Sequence, residues 1–163
     1  MRDELSLDAA YRTHGAAVFR RARQLLGHEA DAYEVVQDVF LSLFEKPEQY
    51  QGKSGIMTFL YSATTHACLN RIRNRKNRER LQGEQISAES LAPRSRLSPE
   101  QITTLHRAIQ ALPDDVCQAA IYSAVDGMTH QEIAEVMNCS RRHVGDLLSR
   151  AASWVAGNEV PPC

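Results

Sequence analysis

Apolar residues recur at intervals of three and four along most of the chain, the spacing that gathers side chains on one face of an α-helix. The pattern predicts a first helix from about Leu7 to Leu26, with Ser6 as its cap and Ala10, Tyr11, Val18, Ala22, Leu25 and Leu26 on the buried side. Gly27 ends it. A second helix runs from about Glu29 to Glu45, with Val35, Val36, Val39, Phe40, Leu43 and Phe44 inward, and Pro47 closes it. Residues 51–55 read as a loop, since two glycines and a serine surround one lysine. A third helix spans roughly residues 56–80, apolar at Ile56, Phe59, Leu60, Ala63 and Ala67. Its end is strongly basic, and Ile72 and Leu81 offer that end little core. No segment alternates with period two for long enough to make a strand, so the fold class is all-α.

Between residues 82 and 98 the apolar period fades into Gly, Ser, Pro and charges, the composition of a flexible linker. Beyond it Ser98 caps a helix carrying Ile102, Leu105, Ile109 and Leu112, and Pro113 breaks the pattern. A further helix holds Val116, Ala119, Ala120, Ile121 and Val125 inward and stops at Gly127. The chain thus divides into two small helical domains, residues 1–81 and 99–157, with a frayed tail at 158–163.

The stretch THQEIAEVMNCSRRHVGDLLSR, residues 129–150, has the pattern of a helix-turn-helix. Thr129 caps a short helix with Ile133, Ala134 and Met137 inward; Asn138 sits where the turn needs a residue tolerant of positive φ. Ser140 caps a second helix whose Val144, Leu147, Leu148, Ala151 and Val155 form one apolar stripe. That stripe turns Arg142, Gly145, Asp146 and Ser149 outward, where a major groove could receive them. An ordinary helical hairpin without nucleic acid is the alternative.

Composition changes this picture little. Among 163 residues, 43% are apolar and only 6% aromatic, which suits helices packed by aliphatic side chains. No run approaches the roughly 18 apolar residues of a membrane span, and the first residues lack a signal peptide's apolar core, so a cytoplasmic location is expected. The net charge of −1 leaves any nucleic-acid contact to local clusters. Four cysteines, Cys68, Cys117, Cys139 and Cys163, form no CxxC pair and are expected as reduced thiols, two or three of them buried. His66 and Cys68, two residues apart on a helix, diverge and make a poor metal pair. With no Gly-rich phosphate loop, nucleophile elbow or HExxH, the sequence points to no enzyme, no metal and no cofactor.

Two charge features carry the candidate chemistry of the first domain. Asp31, Glu34 and Asp38 lie on one face of the second helix, opposite its apolar side. A solvated face with helix-dipole help for Asp31 is one reading, a partner surface the other. The run RIRNRKNRER, Arg71 to Arg80, interleaves with Asn70, Asn74 and Asn77. It is either a solvated helix end or a surface that tracks phosphates while amides read base edges.

The run DAYEVVQDVF from Asp31 to Phe40, the ALP at Ala111–Pro113 and GMTHQEIAEVM leading into the second helix of the helix-turn-helix resemble bacterial sigma factors of the extracytoplasmic-function group. The likeness covers about Leu7 to Trp154: the first domain resembles the family's second region and the last domain its fourth. It implies a factor that binds core RNA polymerase and directs promoter recognition, melting and initiation. By that resemblance Asp31, Glu34, Gln37 and Asp38 dock on polymerase. Lys53 and Ser54 in the loop, with His66, Asn70, Arg71, Arg73, Asn74 and Arg75 on the third helix, match positions that open and read the proximal promoter element. Thr129, His130, Ser140, Arg141, Arg142, Gly145, Asp146, Ser149 and Arg150 fall where the distal element is read as duplex. Promoter DNA, core polymerase and an anti-sigma factor are the implied partners.

The chain departs from the family's pattern in places. Its recognition helix reads SRRHVGDLLSRA where SVGTVKSRLHRA is common, so Gly145, Asp146 and Leu147 replace Lys, Ser and Arg. Phe59 stands for a usual Trp and His66 for a common Asn. A sigma-like decoy that keeps partner binding but has lost promoter use is the alternative function; a stand-alone repressor would leave the N-terminal likeness unexplained.

Overall fold

A computed structural model describes residues 6–50, 55–82 and 98–158. Seven α-helices and a short 3₁₀ turn account for the secondary structure among these residues: α1 (Leu7–Leu26), α2 (Glu29–Glu45), the 3₁₀ turn Pro47–Gln49, α3 (Ile56–Gln82), α4 (Pro99–Ala111), α5 (Asp114–Ala124), α6 (His130–Met137) and α7 (Arg141–Asn158). No strand occurs among them, as the apolar spacing predicts. The helices belong to two compact units that divide inside α3, the first ending at Arg71 and the second beginning at Ile72. Residues 83–97 of the expected linker, 51–54 of the expected loop and the C-terminal residues 159–163 lie outside the described residues.

In the first unit α1 is closed at both ends by its own sequence. The Ser6 hydroxyl accepts from the Ala9 N–H at 3.4 Å, and Gly27 adopts φ 77° while its N–H reaches the Arg23 carbonyl. A side chain at that left-handed position would cost about 1 kcal/mol, which is why glycine ends the helix. Val18, Ala22, Leu25 and Leu26 of α1 pack with Val35, Val36, Val39, Phe40 and Leu43 of α2, all buried. Two residues expected inside are outside: Tyr11 is 50% exposed and Phe44 64% exposed. Phe44 lies about a quarter-turn past the centre of the α2 core stripe, and Tyr11 lies over the core's edge with its ring against Phe40.

The buried face of α3 also differs from expectation. Leu60, Thr64, Thr65, Cys68, Leu69 and Ile72 form it, while Ile56, Phe59 and Ala67 are only half-buried. The threonines qualify because each hydroxyl donates to the carbonyl four residues back, Thr64 to Leu60 at 2.6 Å and Thr65 to Tyr61 at 2.9 Å. With its polar atom satisfied, a threonine packs as a β-branched aliphatic residue. Arg21, also buried, donates to the Thr65 hydroxyl at 3.0 Å and lies 3.9 Å over the Tyr61 ring, tying α1 to α3. Ile72, whose surroundings in the sequence offer little core, is buried as well.

The second unit is built around Ile109 of α4, Val116, Ala119, Ile121 and Tyr122 of α5, Ile133 and Ala134 of α6, and Val144, Leu147 and Ala151 of α7. Ser98 starts α4 with a capping box, its hydroxyl accepting from the Gln101 N–H while the Gln101 side chain accepts from the Ser98 N–H. Pro113 fixes the break, and α5 follows at once with Asp114 and Asp115 at its positive end. Leu112, Ala120, Val125, Met137, Leu148 and Val155, expected inward, are half-buried, whereas Tyr122 is fully enclosed.

Candidate functional site

Three surfaces gather the chemistry-bearing residues. In the second unit α6 and α7 make the helix-turn-helix. Thr129 accepts from the Glu132 N–H at 3.2 Å and Glu132 accepts from the Thr129 N–H at 2.7 Å, a reciprocal cap. The Thr129 backbone N–H, and after it the Thr129 hydroxyl, donate to the Glu132 carboxylate and hold it below its usual pKa. Asn138 turns the chain at φ 52°, ψ 51°, the only non-glycine residue with positive φ among those described, and the Cys139 N–H closes onto the Ala134 carbonyl at 3.0 Å. Ser140 then accepts from the His143 N–H at 3.1 Å and α7 begins.

Because Val144, Leu147 and Ala151 are buried, the other side of α7 carries Arg141, Arg142, His143, Asp146, Ser149 and Arg150 into solvent, with exposed Thr129 and His130 at the start of α6. A Cβ built on Gly145 meets nothing within 4 Å, so this helix face is open at its middle. Among the described residues neither Arg142 nor Asp146 forms an ion pair. Three guanidinium groups flank one carboxylate on this face. The Ser140 hydroxyl accepts the cap hydrogen bond and keeps its proton to donate. His143 joins this face without having been expected there; its place one step beside Arg142 on the first turn of α7 was the available signal.

In the first unit α2 presents Glu34, Gln37 and Asp38 to solvent, with Asp31 half-buried at one edge. The same face carries exposed Tyr33, Leu41 and Phe44, Leu41 at 52%. Tyr33 leans on Phe19, ring centroids 4.5 Å apart. The surface is therefore mixed, acidic in the middle and apolar toward its end. Leu41 belongs to this face by its spacing, seven residues after Glu34, but it carries no charge to mark it.

On α3 the structure separates residues that the sequence grouped. His66, Asn70 and Asn74 are exposed at spacings of four along one face, and desolvation by its neighbours lowers the His66 pKa. Arg71 turns instead to α2, where its guanidinium pairs with Asp31 at 3.3 Å and with Glu34. Arg73, within the second unit, donates to the Ile109 carbonyl at 2.9 Å and the Leu112 carbonyl at 3.1 Å and pairs with Asp114. These carbonyls lie at the end of α4, so Arg73 acts as its C-terminal cap. Arg75 is half-buried, and Lys53 and Ser54 lie outside the described residues.

Comparison with known proteins fits both units. Residues 10–78 match the family model for sigma-70 region 2, and residues 102–154 match that for sigma-70 region 4. The chain belongs to the sigma-70 family. It is 28% identical over 136 residues to the RNA polymerase sigma-H factor of Pseudomonas aeruginosa, covering 76% of this chain and 69% of that one. It is 24% identical over 144 residues to the ECF RNA polymerase sigma-E factor of Escherichia coli, covering 81% and 75%. A match of 26% over 141 residues to the ECF RNA polymerase sigma factor SigE of Mycolicibacterium smegmatis covers 81% of this chain but 53% of that protein's length. These relatives place the sigma factor in the extracytoplasmic-function group. Its fold is also that of the sigma factor RpoE in complex with the anti-sigma factor NepR from Bartonella quintana, at a TM-score of 0.55, 18% identity and coverage of 90% and 91%. CnrH in complex with the cytosolic domain of CnrY gives a TM-score of 0.50 at 16% identity, covering 97% and 92%. No helix among the described residues is long and apolar enough to cross a membrane.

Proposed function

We propose that the surfaces described above divide the work of a promoter-directing sigma factor among them. The α2 face, through Asp31, Glu34, Gln37 and Asp38 with Leu41 and Phe44, docks on core RNA polymerase. The exposed His66, Asn70 and Asn74 of α3, with Lys53, Ser54, Arg71 and Arg75, handle the proximal promoter element, where amides read edges of unstacked bases and cations follow the strand; Arg73, expected with them, is held at the end of α4 instead. The outward face of α7, with Thr129 and His130 of α6, reads the distal element in the major groove. The factor itself makes and breaks no bond, and it acts in the cytoplasm, where polymerase and DNA are. An anti-sigma partner fits the same reading, by likeness to the Bartonella factor seen with NepR.

The observation that carries the reading is the presence of both family regions in order within one chain, each with a charged face exposed. A decoy without promoter use has no observation in its favour. Run-off transcription with purified core polymerase, on the promoter upstream of the factor's own gene, tests it. The wild-type protein should yield a discrete transcript. Glu34→Arg combined with Asp38→Arg should abolish both the transcript and co-purification with core while leaving helicity unchanged, since surface substitutions cost only about 0.5 kcal/mol. Undiminished co-purification of that variant would show that α2 does not dock.

A further inference from the structure

Arg71 matches a strand-binding position, yet its side chain lies between two residues of the docking face. The guanidinium pairs with Asp31 at 3.3 Å and with Glu34, and the arginine and Asp31 are about 70% shielded from solvent while Glu34 is more open. A guanidinium stays charged at any physiological pH and only donates; an ionised carboxylate only accepts. Arg71 therefore satisfies the very acceptors that a basic partner would need. It also directly follows exposed Asn70 and precedes exposed Asn74 by three residues, so rotation of its side chain alone carries the charge to the α3 face. Arg73 lacks this freedom, because two backbone carbonyls and Asp114 hold it.

We infer that Arg71 couples polymerase docking to strand binding: it clamps Asp31 and Glu34 in the free factor and is released to a DNA phosphate when polymerase takes those carboxylates. The inference rests on α2 being the docking face. Its logic is competition. The clamp weakens docking, since polymerase must displace it, and weakens strand binding by the free factor, since Arg71 is occupied. Once docked, the freed arginine strengthens strand binding, and by linkage the strand strengthens docking equally. A partly exposed ion pair is worth a factor of about two to five in either equilibrium.

Two variants measured on the full-length protein test it. Arg71→Gln should tighten binding to core polymerase by a factor of about two to five, because Arg71 no longer competes for Asp31 and Glu34. Glu34→Gln should tighten binding of the free factor to fluorescein-labelled oligothymidine by a similar factor, because the arginine is open, and the gain should vanish when Arg71→Gln is added. If Arg71→Gln leaves core affinity unchanged or lowers it while the Glu34→Arg, Asp38→Arg protein still fails to dock, Arg71 is a fixed strut and the coupling is refuted. Loss of thermal stability with both affinities unchanged refutes it equally. If the charge-reversed protein docks normally, the docking assignment fails instead. The oligothymidine measurement, which contains no polymerase, then still decides whether Glu34 withholds Arg71 from a strand.

Discussion

Asp146 is the residue at which this sigma factor departs most plainly from what a DNA-reading helix is expected to carry. On the face proposed to enter the groove a carboxylate repels phosphates, and Arg142 four residues earlier could have neutralised it across one turn. The two do not pair among the described residues, and both are exposed. An unpaired carboxylate in a groove has one good partner among the bases, the amino group of cytosine. Asp146→Ser should therefore raise affinity for unrelated duplex DNA while lowering discrimination at one base pair by about 1–3 kcal/mol. Selection from a randomised upstream element checks it: the motif chosen by the variant should lose preference at a single position. Identical motifs for the two proteins would make Asp146 an ordinary solvated residue.

At the scale of the element, most of the helical plan was legible because its signals are local. Ser6, Gly27, Ser98, Pro113, Thr129, Asn138 and Ser140 each act through backbone atoms within a few residues, so the ends of α1, α4, α6 and α7 follow from reading them in place. The buried face of α3 was not legible, since the two threonines that define it score as polar until their hydroxyls are seen bonded to Leu60 and Tyr61. The candidate site followed the same rule. The α7 face was set by its own apolar stripe, whereas the partners of Arg71 and Arg73 lie far along the chain, from Asp31 to Asp114, and no spacing rule reaches them. The local signals also make a prediction. Thr129→Ala removes one half of the α6 cap and should destabilise the second unit by about 1 kcal/mol, read by urea unfolding. Glu132 supplies the other half, and its pKa in the folded protein is lowered by Thr129. A depressed carboxyl pKa contributes stability that is present above the unfolded value and lost as pH falls through the folded value. The difference between the wild-type protein and Glu132→Gln should thus be full at neutral pH and shrink below the ordinary glutamate range. A pH-independent difference would mean that the ionised carboxylate is not what caps α6.

For the whole molecule, two compact units in one chain raise the question of whether they unfold together. Each unit holds a buried cysteine in its own core, Cys68 in the first and Cys117 in the second. Burial pushes the Cys68 thiol up to about 12 and raises that of Cys117, while Cys139 in the helix-turn-helix turn is half-exposed. The thiolate is the reactive form, so at a pH of about 8 a thiol with a pKa near 12 alkylates about a thousandfold more slowly than an ordinary one, before its inaccessibility is counted. Iodoacetamide should accordingly modify Cys139 in the native protein and spare Cys68 and Cys117, with the sites resolved by peptide mass spectrometry. Each core is closed by its own helices, and α3 is the only described element that contributes to both. In rising urea the protection of Cys68 and of Cys117 should therefore be lost at different midpoints, one for each unit. Arg73→Ala gives the control. By removing the α4 cap it should shift the Cys117 midpoint downward and leave that of Cys68 in place. A single midpoint for both thiols, moved as one by Arg73→Ala, would mean that α3 transmits unfolding from end to end and that the sigma factor melts as one cooperative body.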